Sequence, residues 1–157
     1  MTTVAARNGI MACDTMMQVS GNRLSFDGKI IRGADFLLGM AGSVDLIIAV
    51  RKLLEGKPFE YLETLEFQGE WHTLVGDVDS RDLSTLLMHK DKLYLLGLSQ
   101  GSLIPCGIPF WAIGTGMDFA IGAMASGMSA SVAVNIAATH DSASGLPVRI
   151  EHLYPEL

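Results

Sequence analysis

Cysteine is scarce in this chain of 157 residues: Cys13 and Cys106 are the full complement, far apart and in apolar surroundings. Two such thiols form no disulfide framework and read as reduced core residues of a cytoplasmic protein. Basic residues are also few. Eleven Lys and Arg face seventeen Asp and Glu, for a net charge of −6. With no basic cluster, that balance excludes a nucleic-acid surface. No apolar run reaches the roughly 18 residues of a membrane span. Arg7, Asn8 and Asp14 interrupt the start of the chain too early for the core of a signal peptide. Linkers, repeats and low-complexity stretches are missing as well, so a single domain is expected over residues 1–157.

Apolar residues and glycine are plentiful, at 49% and 17 residues respectively. They imply a buried core with many tight turns. The first readable unit is a hairpin. Residues 2–7 and 10–14 are β-compatible runs joined by Asn8-Gly9, a dipeptide in which both members tolerate positive φ. A two-residue turn there sets Thr3 opposite Asp14 and Thr2 opposite Thr15.

Further strands are expected at 29–32 and 36–40, with turns near Asn22 and at Asp27-Gly28. Ser43 is the expected N-cap of a helix ending at Glu55, with Gly56 as its stop and Val44, Ile47, Ile48 and Leu54 on one face. Gly69 and Gly76 divide residues 57–80 into short pieces with turns. A hairpin around Lys90-Asp91 joins strands at 86–88 and 93–96, and Gln100-Gly101 marks another turn. Asp118 is expected to cap a helix to Ser126, and Ser129 a second one to about Thr139. The last strand is 148–153. Strands, helix, strands, two helices and a strand make an α+β order with antiparallel sheets rather than a βαβ repeat.

Several chemical signatures fail. Gly114-Thr115-Gly116 lacks the third glycine of a dinucleotide loop, since Phe119 stands there. Asp77, Asp79 and Asp82 do not make a calcium loop, because Arg81 takes a ligand position and the required glycine is missing. His72, His89, His140 and His152 have no metal-ligand spacing, so no metal or cofactor is expected. A Met-Thr start is common and assigns nothing by itself. Removal of Met1 would nevertheless leave Thr2 with a free α-amine of pKa about 7.7–8, able to act as base for the hydroxyl of the same residue.

Five motifs in order give this start its meaning: the opening strands TTVAARNGIMACD, a lysine strand and a glycine segment within KIIRGADFLLGMAGS, then AIGTG and HDSASG. Together they resemble the proteasome β-subunit family, which includes the bacterial HslV peptidase. The resemblance runs from residue 2 to 153 with gaps. It implies a four-layer αββα sandwich of two antiparallel sheets between helical layers, the N-terminal-nucleophile hydrolase fold. It also implies a threonine endopeptidase acting on unfolded polypeptides inside homo-oligomeric stacked rings, with an ATP-dependent unfoldase as partner.

Site roles follow from the same resemblance. Thr2 is the nucleophile and, through its amine, the base. Lys29 favours the alkoxide, Asp14 orients Lys29, and the Gly42 amide receives the oxyanion. Thr115, Asp141 and Ser144 form a polar support. Substrate lies as an added strand near Gln18 and Gly42, with Met17, Gln18, Asp27, Ile31, Met40 and Val44 as its pocket. The mostly apolar lining suits a large hydrophobic side chain, whereas Asp27 would admit a basic one. The chain departs from the family at Thr115 (usually serine), His140 (usually arginine) and Gln18 (commonly threonine). Its 57–80 region is too short for the family's second long helix. A non-catalytic ring subunit and a small-amide hydrolase using the same chemistry are the alternatives.

Overall fold

The computed structural model describes residues 2–155; Met1, whose removal is expected from the sequence, lies outside them. Strands β1 (Thr3–Arg7) and β2 (Ile10–Asp14) form the expected hairpin. Asn8 and Gly9 adopt φ of 54° and 74°, the doubly left-handed turn that matches strand twist. Pairing runs from Val4↔Cys13 to Arg7↔Ile10, the register that a two-residue turn dictates. Next come a small hairpin of β3 (Met16–Val19) and β4 (Asn22–Ser25), then β5 (Ile30–Arg32) and β6 (Phe36–Gly42).

Helix α1 spans Val44–Leu54 with Ser43 as its N-cap, as expected. Its buried face differs from the expected one: Ile47, Val50 and Leu54 are buried, whereas Ile48 is 40% exposed. The 57–80 stretch also departs from the reading as short pieces. A single 3-10 turn (Phe59–Glu63) leads into an 11-residue helix α2, Leu65–Val75. Thr64 caps it by accepting the Phe67 N–H at 3.2 Å. Phe67, Trp71 and Val75 are fully buried at a four-residue spacing that outweighs Gly69, a residue whose Cβ position is open space.

Strands β7 (Leu83–His89), β8 (Lys92–Leu96), β9 (Leu103–Pro105) and β10 (Phe110–Gly114) follow. Helix α3 (Met117–Ala125) starts from Gly116 rather than from Asp118, which occupies its first turn. Helix α4 (Ala130–His140) starts from Ser129, whose side chain accepts the Val132 N–H. The last strand is β11, Val148–His152. No helix among the described residues is long and apolar enough to cross a membrane.

Two larger antiparallel sheets result, ordered β10-β1-β2-β11 and β5-β6-β7-β8-β9. Alternation along β1 and β2 splits their side chains between two interfaces. Val4, Ala6, Met11 and Cys13 pack against Leu37, Leu86 and Met88 of the second sheet. Ala5 and Ala12 turn the other way, onto Ala120, Ala130, Ala133 and Ala137 of α3 and α4. Those small residues let helices lie close to the sheet. A third cluster joins Leu38 and Met40 of β6 to Ile47, Phe67 and Trp71 of α1 and α2. Three apolar interfaces separate four layers, helices outside and sheets within: the α+β sandwich expected from the sequence.

Candidate active site

The site forms where the first hairpin, the start of β5 and the end of β6 meet. Asp14 closes β2 and is fully buried, as Lys29 nearly is at 2% exposure. A charge so placed must be answered by hydrogen bonds. Asp14 Oδ1 accepts from Lys29 Nζ and from the Thr3 N–H, each at 3.0 Å, while Oδ2 accepts the N–H groups of Gly145 at 2.9 Å and Met16 at 3.3 Å. Lys29 Nζ also donates to the Met16 carbonyl. Burial lowers the Lys29 pKa below the usual lysine range, and Asp14 resists that shift.

A second polar chain reaches the same point from the far end of the sequence. Thr3 Oγ1 and Ser144 Oγ lie 2.7 Å apart, and Ser144 donates to Asp141 Oδ2 at 2.6 Å. Thr115 donates to the same oxygen at 2.6 Å, and the Ala143 N–H to Oδ1 at 3.3 Å. Burial raises the Asp141 pKa, but the donors from Ser144, Thr115 and Ala143 outweigh it and hold the carboxyl below its ordinary value. Glycine makes the approach possible. A Cβ on Gly114 would stand 1.8 Å from the Thr2 carbonyl oxygen, and one on Gly116 would stand 2.0 Å from Thr3 Oγ1.

A cleft of about 550 Å³ opens in front of Thr2, lined by Lys29 and Gly42 together with Met17, Gln18 and Val44. Thr2 is 2% exposed. The Gly42 N–H direction follows from strand alternation. Met40 N–H donates to the Lys29 carbonyl on the β5 side, and Ser43 N–H to Asp82 on the β7 side. Gly42 N–H therefore points to the β5 side, beyond the end of β5, where the cleft lies.

Six expected site residues thus line one cleft: Thr2, Lys29, Gly42, Met17, Gln18 and Val44. Asp14 stands behind Lys29, and Thr115, Asp141 and Ser144 reach it through Thr3. Three expected pocket residues lie elsewhere. Asp27 turns to Arg149, whose guanidinium it binds. Ile31 and Met40 share a sheet face with Lys29 and Gly42 but are fully buried in the core beneath α1 and α2, and they are not part of the cleft lining. Thr3 was missing from the sequence-derived roles although the hairpin register already set it against Asp14. The cleft residues Arg81 and Asp82 were also missed, since the acidic run at 77–82 was tested only as a calcium loop. Cys13 offers no competing nucleophile: burial between the sheets pushes its pKa up to about 12.

Solved structures share this arrangement of layers. BPH from Thiobacillus denitrificans, in complex with epoxomicin, matches with a TM-score of 0.70 and 22% identity over 98% of this chain and 99% of that one. A second structure of that protein gives 0.68 and 23%, covering 99% of both chains. A eukaryotic HslV from Trypanosoma brucei gives 0.62 and 20%, over 96% and 97%. No protein-family model and no curated protein matches the sequence. At these identities the likeness establishes the fold alone, an α+β sandwich shared with the BPH and HslV structures.

Proposed function

We propose that the chain is a threonine-type endopeptidase whose nucleophile is Thr2 once Met1 has been removed. The observation that carries this reading is the placement of Thr2, the buried Lys29–Asp14 pair and the Gly42 amide around one cleft. In the proposed reaction Thr2 Oγ attacks the carbonyl carbon of a peptide bond, and its proton passes to the Thr2 α-amine. Lys29 lowers the cost of the alkoxide and depresses the pKa of the nearby amine. The carbonyl oxygen takes up negative charge opposite the Gly42 N–H, an interaction worth about 3–4 kcal/mol for one well-placed donor. The C–N bond then breaks, the amine proton leaves with the departing amine, and an ester to Thr2 remains. Water attacks that ester, giving up a proton to the freed α-amine, which passes it to Thr2 Oγ as the ester C–O bond breaks and the acid is released.

Substrate backbone would extend β6 along the edge that β5 leaves open, a strand-addition mode that reads main chain before side chain. We further propose that subunits close into stacked rings and receive unfolded polypeptide from an ATP-dependent unfoldase. Exposed apolar residues on both helical layers, Ile48 and Leu65 on one and Phe119, Met128 and Val132 near the other, support a surface that is covered in an assembly.

Intact-mass analysis after incubation with an epoxyketone peptide tests the chemistry. The expected result is a chain beginning at Thr2 that gains one adduct at that residue, with Thr2→Ala gaining none and losing peptide cleavage. A mature chain that retains Met1, or an unlabelled but processed one, overturns the reading.

A further inference from the structure

The cleft in front of Thr2 holds more charge than the proposed chemistry uses. Four charged residues line it: Lys29, Asp45, Arg81 and Asp82. Its two cations are already answered. Lys29 pairs with Asp14 at 3.0 Å. Arg81 grips Asp79 through Nη2 at 2.9 Å and Nε at 3.1 Å. Its two carboxylates, Asp45 and Asp82, have no ion-pair partner among the described residues. Thr2, almost fully buried, lines the same cleft.

Position matters here as much as charge. The Asp82 carbonyl accepts the Ser43 N–H at 2.9 Å, so this residue stands one position from Gly42, where the oxyanion is proposed to form. Asp45 sits in the first turn of α1 on the same rim, where it also offsets the positive end of the helix dipole. The remaining lining includes Met17, Val44 and Ile47. An apolar wall ending in two carboxylates matches a side chain with a methylene stem and a cationic head. Asp27, the acidic residue that the sequence offered for this purpose, is held by Arg149 outside the cleft.

We propose that the cleft selects peptides carrying lysine or arginine beside the scissile bond, with the cation at Asp82 and Asp45 and the stem against Met17 and Val44. This rests on the peptidase reading and names the substrate class of that site. Both carboxylates are exposed to solvent, so the selection is modest and sensitive to salt. The test uses fluorogenic peptides that differ only in the residue before the cleaved bond: Arg, Leu or Glu. At low ionic strength kcat/KM for Arg should exceed that for Leu by about fivefold, the scale of one exposed ion pair. Glu should be poorest, and added salt should narrow the spread. The double change Asp45→Asn with Asp82→Asn should remove the preference for Arg. Asp82→Lys should turn the order toward Glu, a gain that misfolding does not produce. Equal or lower rates for Arg, or a preference unmoved by these substitutions, overturns the proposal if Thr2 still takes the epoxyketone. Failure of Thr2 to take it overturns the peptidase reading, and this one with it.

Discussion

Asp141 accepts three hydrogen bonds, from Ser144, Thr115 and the Ala143 N–H, and they set its response to acid. Its folded pKa lies below the unfolded value of about 3.9. The native state therefore binds fewer protons than the unfolded state in the interval between the two. Its contribution to stability is complete above about pH 3.9 and disappears as pH falls through the lowered folded value. Asp141→Asn should flatten the acid limb of a thermal-melting profile in that interval; a limb as steep as the parent's would place the acid sensitivity in another group. Roles at this scale were legible only through the resemblance of ordered motifs, not from single residues. Lys29 and Asp14 taken alone read as an ordinary solvated pair, and it was the motifs around them that singled them out before the fold buried both. Pocket membership was less legible. Asp27 and Asp82 are the same residue type, and only the fold reveals that one is held by Arg149 while the other lines the cleft.

Among the elements, the first hairpin was readable to the residue because Asn8-Gly9 fixes both its turn and its register. Helix α2 was not. Its interior glycine resembled a break, yet Phe67, Trp71 and Val75 bury enough apolar surface to overcome a cost of about 1 kcal/mol. Strand β10 was also unrecognised, though it pairs with β1 along its length and ends at Gly114 beside Thr2. That ending admits no side chain. Gly114 has φ of 95°, and a Cβ would overlap the Thr2 carbonyl. Gly114→Ala should cost about 1–2 kcal/mol from the left-handed backbone alone, with the overlap adding to it. Urea melts read the stability, and the rate of epoxyketone labelling reads displacement of Thr2. A stable variant that labels at the parental rate would mean that Thr2 does not depend on this approach.

For the molecule as a whole, the order of its elements in the sequence already implied α+β with antiparallel sheets, and three apolar clusters make the layers visible. Assembly is the property that one chain cannot display. If rings form, light scattering should report a particle several times the 16.8 kDa of the chain. Exchanging Phe119 and Val132, both more than 40% exposed, for Ser should weaken it. A monomer at all working concentrations would remove the enclosed chamber from the proposal and leave an open peptidase.

The polar chain from Thr3 to Asp141 has a consequence in time. Ser144, Asp141 and the Gly145 N–H that steadies Asp14 are translated after every other part of the site, while Thr2 is translated first. β11 follows them and seals the edge of β2. A nascent chain thus carries Thr2 through the synthesis of β1 to β10 and of α1 to α4 before Asp141 and Ser144 exist.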